Sequence, residues 1–233
     1  MKFEQIVAPT IKELFIEKIQ GMILSGELKP GDKLPSEREL SEQMKISKSI
    51  VHLGLETLER MGFVEIFPRS GSFVADFAEN GNLETLNAII KYNGGKLDRQ
   101  MIVSIIELRS AIEGGALVKL GNSHSEEDMA NLRLLLEEIR RLGEQNASIS
   151  AQAQALSDFH YNFCKASQNK LFPLIMNAFR HVGFVLWESS VRFWGAKALY
   201  AQGTKTLDLV EAGRGKEASE YLDTLFEEYL DKL

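Results

Sequence analysis

Residues 31–42 read Gly31-Asp32-Lys33-Leu34-Pro35-Ser36-Glu37-Arg38-Glu39-Leu40-Ser41-Glu42, a proline-stopped loop that runs into a short helix carrying its own N-terminal cap. Ser36 followed by Glu39 forms the S-x-x-E box, in which each side chain satisfies a free backbone N–H of the first turn. The box predicts a helix over 36–43. A second start falls at Ser47, after Met44-Lys45-Ile46, and Ile50, Val51, Leu55 and Leu58 then recur at helical spacing until Met61-Gly62. The turn between the two helices is expected at 44–46. Downstream, residues 63–67 and 72–76 are short β-prone runs joined by Pro68-Arg69-Ser70-Gly71, which is rich in turn formers. Upstream, Ile11, Leu14, Phe15, Ile19, Met22 and Ile23 give residues 9–25 an apolar face suited to roof the other two helices. Three helices and a hairpin in this order describe a winged helix-turn-helix.

The same residues resemble the GntR transcriptional regulators, whose hallmark runs G-x-x-L-P-S-E-R-E-L-A and then V-S-R-T-T-V-R-E-A-L. Leu34 to Leu40 match the first half almost letter for letter, and Ile46-Ser47-Lys48-Ser49-Ile50-Val51-His52 answers the second. Lys48 and His52 stand where the family has arginines, and Ile50 where it has threonine. The resemblance implies a double-stranded DNA operator as partner. Arg38, Ser47, Lys48, Ser49 and His52 would meet bases or phosphates in the major groove, and wing residues Arg69, Gly71 and Ser72 would reach a minor groove. Because the base-reading helix departs from the family at 48, 50 and 52, an operator of its own is expected.

Composition bounds the rest. A chain of 233 residues holds two ordinary domains. With 44% hydrophobic and 26% charged residues, no apolar run of bilayer length and no signal-peptide start, it reads as soluble, cytoplasmic and without a membrane partner. The single cysteine, Cys164, excludes an internal disulfide and is expected to be a small buried residue. A net charge of −6 disfavours nucleic acid for the chain as a whole, but the relevant quantity is the face presented. Lys45, Lys48, Arg38, His52 and Arg69 cluster around the expected recognition helix. Modest affinity of one acidic chain points to a homodimer reading two half-sites.

The expected organisation is a winged helix-turn-helix over 1–77, a mostly polar connector over 78–96 with an apolar stretch from Leu83 to Ile90, and a helical effector-binding and dimerisation domain over 97–233. Helices are predicted at 97–121, 125–145, 149–167, 170–193, 195–213 and 215–232, with Gly114-Gly115 easing a close contact. The fold class is mainly α, with one small hairpin and an antiparallel bundle of six or seven helices. Effector binding would reorient the DNA-binding domains through the connector.

This second half resembles the FadR branch of the GntR family, whose helical domain of the FCD type binds a small effector. The matching residues are Glu107-Leu108-Arg109 with Glu113, Phe159-His160 followed by Ala166-Ser167-Gln168-Asn169, and Gly213 with Ala218. Many members hold a metal with an aspartate, a histidine one turn later and two further histidines. Here His160 is present, but Leu156 stands one turn before it and the two later positions fall on Gly203 and Leu225. Asp158 points to nearly the opposite side of its helix, and His181 offers His160 a partner without a carboxylate. No metal and no cofactor is therefore expected.

Without a metal, charge recognition falls to side chains. Arg109 matches an arginine that faces the pocket in the family, and its fork suits a carboxylate or other anion. The alternative is an i,i+4 pair with Glu113. His160 reads either as a buried hydrogen-bonded histidine or as a polar group of the pocket. Trp187 and Arg192, from the segment 187–194, are further effector candidates, with core or dimer contact as the competing role of the aromatics. The implied function is a repressor modulated by a small anionic metabolite. Two alternatives stand beside it: an acyl-CoA-responsive regulator of lipid metabolism, and a helical interaction protein with weakened DNA binding. An enzyme is not indicated, since four histidines, one cysteine and a Gly213-Arg214-Gly215-Lys216 stretch without phosphate-loop spacing assemble no catalytic set.

Overall fold

The computed structural model describes residues 8–233, except for the side chain of His181. The chain divides into two compact units, one ending at Lys96 and the other beginning at Leu97.

In the first unit, helix α1 (Ile11–Leu24) starts at a capping box between Thr10 and Glu13 and buries Phe15, Ile16, Ile19 and Ile23. The apolar face is rotated from the one expected, since Ile11 and Leu14 are exposed. Helix α2 (Glu37–Met44) has the anticipated cap: Glu39 N–H donates to Ser36 Oγ at 3.3 Å and Ser36 N–H donates to the Glu39 carboxylate at 2.8 Å. The turn falls at 45–47, where Lys45 adopts a left-handed φ of 55° and Ser41 Oγ donates to Ile46 O at 2.6 Å. Helix α3 (Lys48–Arg60) is capped by Ser47 and buries Val51, Leu55 and Leu58 against α1 and α2.

The wing is an antiparallel hairpin of β1 (Val64–Phe67) and β2 (Gly71–Val74), with Val64 opposite Val74 and Phe67 opposite Gly71. The other edge of β2 is covered by the stretch that precedes α2. Leu34 N–H donates to Ser72 O at 2.9 Å, Val74 N–H to Asp32 O at 2.9 Å, and Gly31 N–H to Val74 O at 2.8 Å. These bonds satisfy an edge that would otherwise be open to another chain. Residues 78–96, read from sequence as a connector, lie within this unit and carry two helices, α4 (Phe77–Asn80) and α5 (Leu83–Tyr92). Thr85 Oγ1 donates to Met61 O at 2.5 Å and Asn82 Nδ2 to Arg60 O at 2.8 Å, tying α5 to the end of α3.

The second unit is a helical bundle. The predicted helix over 97–121 is one run in three parts: α6 (Arg99–Arg109), a π-helical turn (Ser110–Gly114) and α7 (Gly115–Asn122). Helices α8 (Glu126–Glu144) and α9 (Ile149–Ala166) follow as expected. The predicted helix over 170–193 instead breaks at Phe179, giving α10 (Leu171–Ala178) and α11 (Arg180–Glu211). The expected break at Gly195 is present as a kink with φ 72° inside α11. Helix α12 (Gly215–Asp231) packs on α7 and the π turn, and α8, α9 and α11 pack on one another.

Two glycines permit that packing. A Cβ on Gly114 would lie 2.5 Å from Ser219 Oγ, and one on Gly215 would lie 2.6 Å from Leu117 O. The core between the helices includes Leu117, Leu120, Leu132, Leu136, Ile139, Phe159 and Phe163. Cys164 is buried there as expected, and burial raises its thiol pKa far above the reactive range.

Candidate functional site

The first unit presents the start of α3 and the wing to solvent. Ser47, Lys48, Ser49, His52, Arg69 and Gly71 are exposed and Ser72 is half-buried. The wing tip turns through Arg69 (φ 67°) and Gly71 (φ 106°), which lifts the Arg69 side chain away from the core. Arg38 is exposed on α2, with its Nε 4.0 Å from Glu42.

One relationship on this face was not legible in the sequence. Glu37 reaches from α2 to two basic side chains in the first half of α3: Lys48 Nζ lies 3.9 Å from Oε2, and His52 Nδ1 lies 2.8 Å from Oε1. The other ring nitrogen of His52 lies 3.3 Å from Glu56 Oε1. A neutral imidazole has one N–H, so only the imidazolium donates to both carboxylates. The hydrogen bond and charge of Glu37, then the charge of Glu56, accordingly raise the His52 pKa above 6.5.

In the second unit, α6, α9, α11 and α12 enclose a cavity of about 50 Å³. Glu113, in the π turn, is fully buried against Arg109, one of the residues lining the cavity. Arg109 Nε donates to Glu113 Oε1 at 2.7 Å and Nη2 to Oε2 at 3.4 Å, and His160 Nδ1 meets the same Oε2 at 2.7 Å. Burial pushes the Glu113 carboxyl up, but the Arg109 charge and then His160 outweigh it and hold it at about 2, down from 4.5. Burial lowers the His160 pKa below 6.5, with only partial offset from Glu113. At neutral pH the group is therefore an Arg⁺–Glu⁻ pair with a neutral His160 that carries its proton on Nδ1. The guanidinium lies between rings, its carbon 3.7 Å from the Trp187 centroid and 4.9 Å from that of Phe226.

Arg109 pairs with Glu113 and also lines the cavity. His160 and Trp187 line it too. Arg192 does not. It is exposed and 3.2 Å from Glu188, because its direction around α11 differs from that of Trp187. Leu156, His160, Gly203 and Leu225, the four positions at which the resemblance implied metal ligands, all line the one cavity. Three of them have no donor atom, and Asp158 is engaged with Arg180 at 2.5 Å. Among the described residues no three of His, Cys, Asp and Glu gather as a metal site, and these residues do not fit one. The side chain of His181 lies outside the described residues. Sequence reading missed Tyr229, which also lines the cavity, and the bridging position of Glu113.

Two families account for this arrangement. The FCD domain matches residues 104–228, more than half of the chain, and the bacterial regulatory proteins of the gntR family match residues 12–74. The chain belongs to the GntR family and carries an FCD domain. The HTH-type transcriptional regulator LutR of Bacillus subtilis (strain 168) is 29% identical over 206 residues, which cover 84% of this chain and 89% of the relative. The HTH-type transcriptional regulator Mce2R of Mycobacterium tuberculosis (strain CDC 1551 / Oshkosh) is 29% identical over 180 residues, covering 77% and 73%. A solved structure of Lar, described as controlling expression of the Listeria monocytogenes agr system, superposes with a TM-score of 0.60 at 18% identity and covers 97% of each chain. That likeness concerns the fold alone. This GntR-family chain is a regulatory protein rather than an enzyme, and none of its described helices is long and apolar enough to cross a membrane.

Proposed function

We propose that this GntR-family protein is a cytoplasmic homodimeric repressor that binds operator DNA through its winged helix-turn-helix and releases it when a small anionic metabolite enters the cavity at Arg109. The observation that carries the ligand half of this reading is a single buried guanidinium at the cavity wall, lying between Trp187 and Phe226, with only the Nε and Nη2 side of its fork given to Glu113. An arginine so placed is pre-organised for a carboxylate. On the DNA half, Lys48 and His52 stand near bases, Arg38, Ser47 and Ser49 contact phosphate or base edges, and Arg69 to Ser72 approach the minor groove. Repression is the commoner outcome in the family. Regulation requires that the metabolite bind the DNA-competent and DNA-incompetent states unequally.

The test uses a fragment of the protein's own upstream region at fixed salt. Lys48→Glu is expected to weaken binding by tenfold or more; wild-type affinity in that variant removes α3 from the interface. Arg109→Lys keeps a charge beside Glu113 while losing the fork, so DNA binding should persist and release by carboxylates should fail. An unchanged response removes Arg109 from the site.

A further inference from the structure

Leu53, in the second turn of α3, is 50% exposed and is the one exposed large hydrophobic side chain of that helix. Ser49, His52, Leu53 and Glu56 are all exposed and fall within an arc of about 100° around the helix axis. Val51, Leu55 and Leu58 occupy the opposite side and build the core, so Leu53 contributes nothing to it. Along the axis Leu53 lies about 7.5 Å beyond Lys48, within the N-terminal part that meets base edges in a helix-turn-helix.

The polar groups beside it are already engaged. Glu37 lies 3.9 Å from Lys48 Nζ and 2.8 Å from His52 Nδ1, and Glu56 lies 3.3 Å from His52 Nε2. A base contact by either basic side chain gives up part of such a pairing, which reduces the net gain. An apolar contact by Leu53 gives up only water. Further along, Thr57 Oγ1 donates to Leu53 O at 2.8 Å, Glu59 accepts the Ile66 N–H at 3.0 Å and Arg60 pairs with Glu84. These bonds tie the end of α3 to its own backbone, the wing and α5, so the stripe open to a base edge ends at Glu56.

The bases differ in what they offer such a side chain. In the major groove guanine and adenine present polar edges and cytosine an amino group, whereas thymine alone presents a methyl group. A polar edge covered by leucine loses its water without gaining a partner. The thymine C5 methyl meets leucine without that cost. One apolar side chain on this stripe therefore selects thymine by attraction and disfavours the other bases by exclusion.

We propose that Leu53 is a specificity-determining residue of the DNA-binding face, packing on the C5 methyl of a thymine in the operator. This rests on the placement of α3 in the major groove. Burying one such group against an apolar side chain changes affinity by about fourfold.

The experiment compares two forms of a fragment of the protein's own upstream region, one with thymine and one in which uracil replaces every thymine. The replacement deletes each C5 methyl and leaves the hydrogen-bonding edge unchanged. The full chain as wild type, Leu53→Ala and Lys48→Glu is titrated against both forms by fluorescence anisotropy at fixed salt. Wild type is expected to prefer the thymine form by about fourfold for each methyl that Leu53 contacts, and Leu53→Ala to lose that preference together with a like share of its affinity for thymine DNA. A side chain that merely supports the fold would weaken binding to both forms equally. An undiminished thymine preference in Leu53→Ala overturns the role of Leu53, as does a wild type indifferent to uracil. In either case loss of binding in Lys48→Glu preserves α3 as the DNA-reading helix. If Lys48→Glu and Leu53→Ala both bind as tightly as wild type, the placement of α3 falls and this inference with it.

Discussion

The guanidinium carbon of Arg109 lies 3.7 Å from the ring centroid of Trp187, and this stack forms a wall common to two cavities. The second, of about 30 Å³, lies between α6, α9, α10 and α11. A cation held on an aromatic face loses water without losing all of its electrostatic stabilisation, which offsets part of the cost of burying Arg109 to 7% exposure. The hydrogen bonds to Glu113 fix the plane of the fork and leave its rotation about the stack restricted. The stability and the ligand chemistry of the second unit therefore depend on the same few side chains.

Glu113→Gln is expected to destabilise the protein by about 3 kcal/mol in urea unfolding, because it removes the charge that compensates buried Arg109. Replacing the pair together, Arg109→Met with Glu113→Leu, should cost much less or nothing, since no unpaired charge remains. Equal losses in the single and the double variant would mean that packing rather than charge pairing holds this site.

Acid should weaken the fold in two stages. His160 has a folded pKa below 6.5, so below that value the unfolded chain binds the proton that the folded chain refuses, and stability falls. Glu113 is held at about 2 against an ordinary 4.5, so its contribution is complete above 4.5 and is lost as pH falls from there towards 2. Urea midpoints across this range should decline in wild type, with a flatter upper stage in His160→Gln. A wild-type profile that rises on acidification contradicts the burial of a neutral His160.

The His52 imidazolium, held between Glu37 and Glu56, adds a positive charge to the exposed start of α3. Its pKa is raised, so the charge persists to higher pH than on an ordinary histidine and is lost as pH climbs past the raised value. Operator binding, followed by fluorescence anisotropy at constant ionic strength, should weaken with rising pH in wild type and respond less in His52→Arg. Parallel pH profiles for the two proteins would dismiss His52 from the interface.

Gly54 sits where α1 crosses α3, and an added Cβ would lie 2.3 Å from Cδ1 of the Phe15 ring. Gly54→Ala should cost about 1–3 kcal/mol from overpacking, despite alanine's better helix propensity. Phe15→Leu in the same chain should relieve part of that loss. A more stable Gly54→Ala protein would show that the ring moves aside freely.

Legibility followed the range of the interaction. The cap of α2 joins Ser36 to Glu39 and the cap of α3 joins Ser47 to Ile50, each across three residues, so the helix-turn-helix was readable from spacing. The break at Gly195 is likewise a property of one residue with positive φ. The break at Phe179 had no glycine or proline to mark it, and the apolar stretch Leu83 to Ile90 showed its helical period without showing that Thr85 would anchor it to Met61. Arg192 looked equivalent to Trp187 in sequence because helical direction matters only once the bundle assigns an inside.

Local chemistry in the sequence alone determined the capped helix pair, the wing, the helical second half and the absence of donors at positions 156, 203 and 225. Tertiary structure decided that residues 31–34 close the wing's edge, that Glu37 joins Lys48 to His52, and that Glu113 binds His160 from 47 residues away. It also left the Tyr229 hydroxyl unmatched beside the cavity. Caps, turns and glycine breaks depend on neighbours a few bonds away and are written into the order of residues. A buried charge or an orphaned hydroxyl is defined by what the folded chain brings to it and by the water it excludes, and neither exists until the helices pack.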